Sequence, residues 1–210
     1  MLIIGAGGLA AQIFPDIEAM HLPEVAFWSE YDTKYSFIKD KYSILKNDEE
    51  VVQFFKEHSR TFILAVGQPA VRRMMAEKFT KLGGKLTSYI SPFSTVSPYS
   101  TIAAGATILS NIIIEPGTEI REGCLLNKTS NVGHGCTIGD YSELAPAVIL
   151  TGEVELGQDC YVGTGTIILP KVKIGKGTSI AAGAVVKKNI PEYSLVAGGT
   201  ATIIKSKTQS

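Results

Sequence analysis

The chain has 210 residues and no surplus of either charge, with 20 Lys and Arg against 20 Asp and Glu. Without a basic excess, neither nucleic acid nor an anionic membrane surface is indicated as a partner. No stretch of 18 apolar residues occurs, so no membrane insertion is expected. Cysteine is scarce: Cys124, Cys136 and Cys160 form no CxxC and are too few for a disulfide framework. Histidine is equally scarce, and His134 stands alone in the second half, so a zinc site built from several imidazoles has no ligands there and no metal is expected. The opening MLIIGAGGLAAQIF resembles the apolar part of a signal peptide, but no Lys or Arg precedes it and glycines interrupt it. It reads as structure, in a cytoplasmic protein.

What is present divides into two halves with different periods. Over residues 1–85 short apolar runs alternate with helical patterns. LII leads into GAGGLA, EVAFW follows a helical stretch, and DEEVVQFFKEH has helical spacing with Asp48 as the candidate cap. TFILAVG reads as a buried strand, PAVRRMMAEKFTKLGG as a helix closed by glycine, and KLTSYI as a strand again. This predicts a small Rossmann-like βαβ domain with a mostly parallel sheet.

From residue 90 the period becomes six. Every sixth residue from Ile90 to Val186, 17 in all, is Ile, Leu or Val. If a third of residues were aliphatic, chance would produce such a run roughly once in 10⁸ trials. The fourth residue after each is small or β-branched, which places one large and one small side chain inward per hexapeptide and predicts a narrow parallel β-helix over 86–210. The first domain is expected to cover one end of this solenoid, and Pro191 with EYSLVAGGTATIIK to begin the other cap, before a disordered tail SKTQS. All three cysteines fall on the small inward position and read as compact apolar filler.

His134 is the third residue of its hexapeptide, outside the inward pair, so its imidazole is expected at the surface. The period of six resembles that of the left-handed β-helix proteins, which implies coils of 18 residues, and one such coil further on lies Gly152, expected to stack about 4.8 Å away. An imidazole titrates near neutrality and can act as a general base. A bare glycine N–H beside it is the geometry of a one-donor oxyanion site. An exposed turn histidine with no chemistry fits the same position equally well.

The hexapeptide run resembles that of the left-handed β-helix proteins, most of which are acyltransferases; the left hand is implied by that resemblance. GAGGLA, AVGQPAVRR, SPFSTVSP and LLNKTSNVGHGCTIGDYSELAP together resemble the two-domain sugar acyltransferases, similar to the sialic acid O-acetyltransferases and the nucleotide-sugar N-acetyltransferases acting on 4-amino sugars. The resemblance implies a homotrimer with acetyl-CoA in grooves between neighbouring β-helices and a nucleotide-sugar substrate on the first domain. It implies His134 as general base and Gly152 as the amide at the thioester carbonyl. It also implies Gly163, Thr164 and Ala182 along the pantetheine arm, and Asn127 on the substrate side. Two positions depart from the pattern. Gly135 stands where an acidic residue often follows the histidine. Glu143 stands where a second histidine often touches acetyl-CoA, and is expected to orient His134 or to meet the cofactor.

GAGGLA fits GxGxxA after a strand and at a helix start, where a helix N-terminus meets phosphate. This nominates Gly7, Gly8 and Leu9, with Ser29 and Glu30 at the second strand end and Gly67 at the third. Glu30 and Asp32 also satisfy the acidic position of an NAD site, but about 85 residues make half of a dinucleotide fold and suit a mononucleotide better. The rival expectation is a non-catalytic nucleotide-sugar binding or scaffold protein of the same fold.

Overall fold

The computed structural model describes residues 1–206, and the expectation for the tail falls, past Ser206, outside them. Five strands build the first sheet: β1 (Leu2–Ile4), β2 (Ala26–Trp28), β3 (Ile44–Leu45), β4 (Thr61–Leu64) and β5 (Lys85–Leu86), in the order β3-β2-β1-β4-β5. Every pairing is parallel. Helices α1 (Gly8–Ala19), α2 (Ser36–Lys39), α3 (Asp48–Glu57) and α4 (Pro69–Lys81) connect them. Parallel strands are covered on both faces, which is why β1 is an unbroken apolar run, buried at all three residues. The strand order reverses between β1 and β4, and a ligand crevice is expected beyond the carboxyl ends of those strands. The predicted cap of α3 is displaced by one residue. Asn47, not Asp48, accepts from the Glu50 N–H at 2.9 Å, and the Glu50 carboxylate returns to the Lys46 N–H at 2.7 Å. Asp48 is the first helical residue because this reciprocal pair satisfies the donors that its own side chain would otherwise have taken.

The remainder is a left-handed parallel β-helix of two-residue strands from Tyr89–Ile90 to Val185–Val186. Each strand pairs in parallel with the one 18 residues on, as in Asn131↔Ile149 and Val132↔Leu150. The second residue of each strand points inward, and from Ile108 to Val186 all are buried. From Gly105 to Gly183 the third residue of each four-residue turn takes a left-handed conformation. Glycine holds that place at Gly117, Gly123 and Gly135, whereas Thr129, Tyr141 and Glu153 hold it with φ near +60°.

The three outer faces differ chemically. One presents Tyr89, Thr107, Leu125, Glu143, Tyr161 and Ser179; the second presents Thr95, Ile113, Asn131, Ile149, Ile167 and Val185; the third presents Thr101, Glu119, Thr137, Glu155 and Lys173. We call them the covered, the apolar and the charged face. The first domain lies along the covered face rather than over the end of the solenoid, which corrects the expectation of an end cap. Ile90, in the first coil, remains 38% exposed.

The anchor is Arg72 of α4, which is fully buried. Its Nε donates to Gly123 O at 2.7 Å, its Nη1 to Val66 O at 2.8 Å, and its Nη2 to Gly105 O at 3.0 Å and Thr107 Oγ1 at 3.0 Å. A planar fork of five donors suits several carbonyls at once. Burial pushes its pKa down to about 10, with Cys124, Glu143 and Tyr141 acting in the other direction. Arg73 adds an ion pair to Asp159 at 2.8 Å, and Asp16 of α1 accepts from Ser91 Oγ at 2.7 Å. At the far end, strands Ser194–Ala197 and Thr202–Ser206 form an antiparallel pair that closes the coil.

Candidate active site

His134 lies on the turn joining the apolar to the charged face, and its side chain is exposed as expected. Its N–H donates to Glu115 Oε2 at 2.9 Å, and its carbonyl accepts from the Glu153 N–H at 2.8 Å. These bonds from the preceding and following coils hold the turn. The imidazole lies over Gly152. A Cβ on residue 152 would come within 2.5 Å of His134 Nε2 and 2.6 Å of Cε1. Only a glycine lets the ring rest there, and among the described residues nothing accepts from the Gly152 N–H. A ring nitrogen and an uncommitted backbone donor therefore share one exposed corner.

Gly135 occupies the left-handed place of its turn with φ +66°, and the side chain of Glu153, in the same place of the next coil, lies over it. The acidic residue that Gly135 lacks has neighbours in space from other coils: Glu115 and Glu153. Neither was nominated from the sequence. Glu115 lies 19 residues before His134, which is one coil and one residue, so the coil register carries the signal.

The cysteines are buried and unpaired. Burial pushes Cys124 up to about 12 and Cys160 up to about 11, and Cys136 upward as well. Protonated thiols in a packed interior are neither nucleophiles nor ligands.

A second centre forms in the first domain. A cavity of about 510 Å³ at the carboxyl ends of β1, β2 and β4 is lined by Gly7, Gly8, Leu9, Ser29, Glu30 and Gly67, among others. Gly7 caps α1 with no side-chain bond, and the first turn carries no acidic residue. A Cβ on Gly7 would meet nothing within 4 Å, so packing does not demand a glycine there. Open space before an uncapped helix of 12 residues suits an anion held by backbone N–H groups. Gly5 differs: with φ +112° and a Cβ position 2.6 Å from Ala65 O, it is required by the fold. The Ser29 hydroxyl is spent on Tyr31 O at 2.8 Å, and Asp32 is paired with Lys46 at 2.8 Å, which leaves Glu30 as the exposed acid at this strand end.

Gly67 and Gln68 also line a neighbouring cavity of about 880 Å³ over the covered face, together with Arg73, Glu143 and Tyr161. Glu143 does not touch His134. Its Oε2 accepts from the Gln68 N–H at 2.7 Å, and its Oε1 lies 3.5 Å from Asn127 Nδ2. Asn127 is buried and also donates to Leu144 O at 3.0 Å. Burial raises the Glu143 pKa, against the Gln68 N–H, Arg72 and Asn127.

Asn127, Gly163, Thr164 and Ala182 lie on the turns joining the covered to the apolar face. Thr164 and Ala182 are exposed, whereas Gly163 is buried, and a Cβ there would come within 2.5 Å of Ala182 N. The glycine at 163 is thus required by the coil above it. Apart from Glu143 on the covered face, the nominated residues of the β-helix form two groups within one chain, on the two corners that flank the apolar face. No helix among the described residues is long and apolar enough to cross a membrane.

Residues 1–79 match the PglD N-terminal domain, and residues 153–188 match the bacterial transferase hexapeptide (six repeats). A histidine-to-asparagine mutant of perosamine N-acetyltransferase from Caulobacter crescentus, solved with CoA and GDP-perosamine, superposes with a TM-score of 0.89 at 25% identity, covering 97% of this chain and 96% of that one. The acetyltransferase domain of PglB from Neisseria gonorrhoeae FA1090, in complex with acetyl coenzyme A, gives 0.86 at 25% identity over 97% of this chain and 98% of that one. Among curated proteins, an acyl-[acyl-carrier-protein]–UDP-N-acetylglucosamine O-acyltransferase of Helicobacter pylori (strain Shi470) is 36% identical over 139 residues, 57% of this chain and 51% of its own length. The chain spans about half the length of that relative, and less of the serine acetyltransferases of Arabidopsis thaliana that it also matches.

Proposed function

Since the chain belongs to the two-domain hexapeptide-repeat sugar acyltransferases, we propose that it moves an acetyl group from acetyl-CoA to an amino or hydroxyl group of a nucleotide-activated sugar, with His134 as the general base. The observation that carries this reading is the His134 ring lying over Gly152, whose N–H has no acceptor. The acceptor's nitrogen or oxygen attacks the thioester carbonyl carbon while His134 takes its proton. The carbonyl oxygen gains charge opposite the Gly152 N–H, worth on the order of 10²–10³ in rate for one such donor. The C–S bond then breaks, and the departing thiolate receives a proton as free CoA. Transfer is direct, with no covalent enzyme intermediate.

The active unit is a homotrimer. Ile113 and Ile149, on the apolar face, are 45% and 39% exposed, while the covered face carries the first domain and the charged face carries the Lys173–Glu155 pair. Three chains that turn their apolar faces toward a common axis bury these rungs. Each then brings the corner bearing His134 and Gly152 against the neighbour's corner bearing Asn127, Gly163, Thr164 and Ala182. The site is incomplete without that second copy, because in one chain the nucleotide cavity and His134 lie on opposite sides of the prism. The exposed small residues Thr164 and Ala182 leave room for a pantetheine arm, and the first-domain cavity takes the nucleotide. Three unpaired cysteines suit the reducing cytoplasm.

Thiol release from acetyl-CoA across UDP- and GDP-linked 4-amino sugars tests the reading. His134→Ala is expected to lose about 10²–10⁴ in kcat/KM; full activity in that variant refutes the assigned base. Calorimetry that finds nucleotide-sugar binding without acetyl-CoA binding would favour a scaffold instead.

A further inference from the structure

Glu143 is only 9% exposed, at the joint between the two domains, and it borders the cavity reached from the nucleotide cavity past Gly67 and Gln68. Its two oxygens are unequally engaged. Oε2 holds the Gln68 N–H at 2.7 Å, whereas Oε1 has only the long contact of 3.5 Å to Asn127. A carboxylate withdrawn from water calls for a cation. The chain supplies none in direct contact: the buried Arg72 acts on it only from a distance, with its donors directed to carbonyls and the Thr107 hydroxyl, and Arg73 is paired with Asp159. Among the described residues no Lys, Arg or His forms an ion pair with Glu143.

We propose that Glu143 selects the acceptor: its Oε1, beside Asn127, receives the amino group of a nucleotide-linked amino sugar as an ammonium, so that an amine is taken in preference to the corresponding hydroxyl. The proposal rests on the acetyl-transfer reading and deepens it by naming nitrogen as the atom acylated. The place is suitable, because the cavity at Gly7 and the cavity at Glu143 share Gly67 and Gln68 in their linings, so a sugar attached to a nucleotide in the first can reach the second. Asn127, in contact with Glu143, lies on the corner that meets the neighbour's His134. An ammonium sheds one proton before it attacks. Glu143 accepts that proton as a carboxylic acid, which its burial favours. The second proton passes to His134 as the C–N bond forms.

The alternative role for Glu143 is structural, as the acceptor that fixes the Gln68 turn, where φ is +63°. Glu143→Gln separates the two, since an amide oxygen still accepts from the Gln68 N–H but carries no charge. Calorimetry compares a panel of UDP- and GDP-linked 4-amino sugars with their 4-hydroxy counterparts on the full-length protein. The wild type is expected to favour the amine by at least tenfold. Glu143→Gln is expected to abolish that preference while leaving acetyl-CoA affinity in place and the melting temperature no lower than that of the wild type. An unchanged preference in Glu143→Gln overturns the proposal alone, as does a wild type that binds both acceptors equally. A wild type that binds neither acceptor nor acetyl-CoA overturns the acetyl-transfer reading beneath it. If Glu143→Gln fails to fold, the wild-type ratio of amine to hydroxyl affinity decides.

Discussion

Gly152→Ala is the sharpest test of the site, because one methyl group meets one ring. The added Cβ would lie 2.5 Å from His134 Nε2 and 2.6 Å from Cε1. Ordinary contact between heavy atoms begins near ~3.5 Å, so the ring must retreat by about 1 Å. His134 is exposed, and its ring can swing into solvent without disturbing the coil, whose bonds at this turn run through the backbone of His134 and Glu153. The backbone at 152 lies outside the left-handed region that disfavours a side chain. The fold is therefore expected to tolerate the change, with a stability difference within about 0.5 kcal/mol. Activity is not: a misplacement of about 1 Å in a reacting group costs on the order of 10²-fold. The assay is thiol release from acetyl-CoA under saturating acceptor, with a thermal melt as control. His134→Ala is expected to lose as much or more. Because ring and amide act on one transition state, the double variant should be no worse than His134→Ala by itself. Wild-type kcat/KM in Gly152→Ala would refute the reasoning, and so would fully additive losses.

The remaining expectations concern the other parts of the molecule. Gly7→Val should leave the melt unchanged, because a Cβ there meets nothing, yet weaken nucleotide binding by calorimetry; Gly5→Ala should cost more than about 1 kcal/mol in urea unfolding, for it forces a side chain onto φ +112° against Ala65 O. Ile149→Glu, in the middle of the apolar face, should yield a folded monomer in analytical ultracentrifugation with acetyl transfer lost; a trimer that survives it would place the interface elsewhere. The Glu143 pKa is raised by burial, so the folded state holds that proton more tightly than the unfolded chain does. Its stabilising contribution is present below the ordinary glutamate value of about 4.3 and is lost as pH rises through the folded value. Melts should accordingly show Glu143→Gln at least as stable as wild type at neutral pH, with the difference shrinking as pH falls toward about 4.3.

Much of this protein is periodic, and periodic features can be read without coordinates. The residues from Ile108 to Val186 that recur every six are buried because a coil with one large and one small inward residue per hexapeptide leaves no other arrangement. The same register put Cys124, Cys136 and Cys160 in the interior, His134 on an exposed turn and Gly152 one coil away. The glycine loop at Gly5–Gly8 was legible for a similar reason: a short apolar strand, glycines and a helix leave the chain few courses. Arg72 was not legible. Nothing in AVRR distinguishes a fully buried arginine from the half-buried Val71 and Arg73 beside it, since its burial depends on carbonyls at Gly105, Gly123 and Cys124 that lie 33 to 52 residues away in sequence. The Asn47 cap was missed for a smaller cause, because Asn47 and Asp48 are both good caps and only the return bond from Glu50 chooses between them.

The sequence alone thus determined the two architectures and the inward register, which follow from local spacing repeated along the chain, and it paired His134 with Gly152 once the resemblance supplied a coil of 18 residues. Only the tertiary structure decided how the halves meet. It laid the first domain along one side of the solenoid, and turned Glu143 toward Gln68 and away from His134. It also left a face of isoleucines open between the two corners that hold the candidate residues. These depend on which outer face is covered, and no repeat of six encodes that, because the outward residue of each hexapeptide varies freely until another surface packs against it.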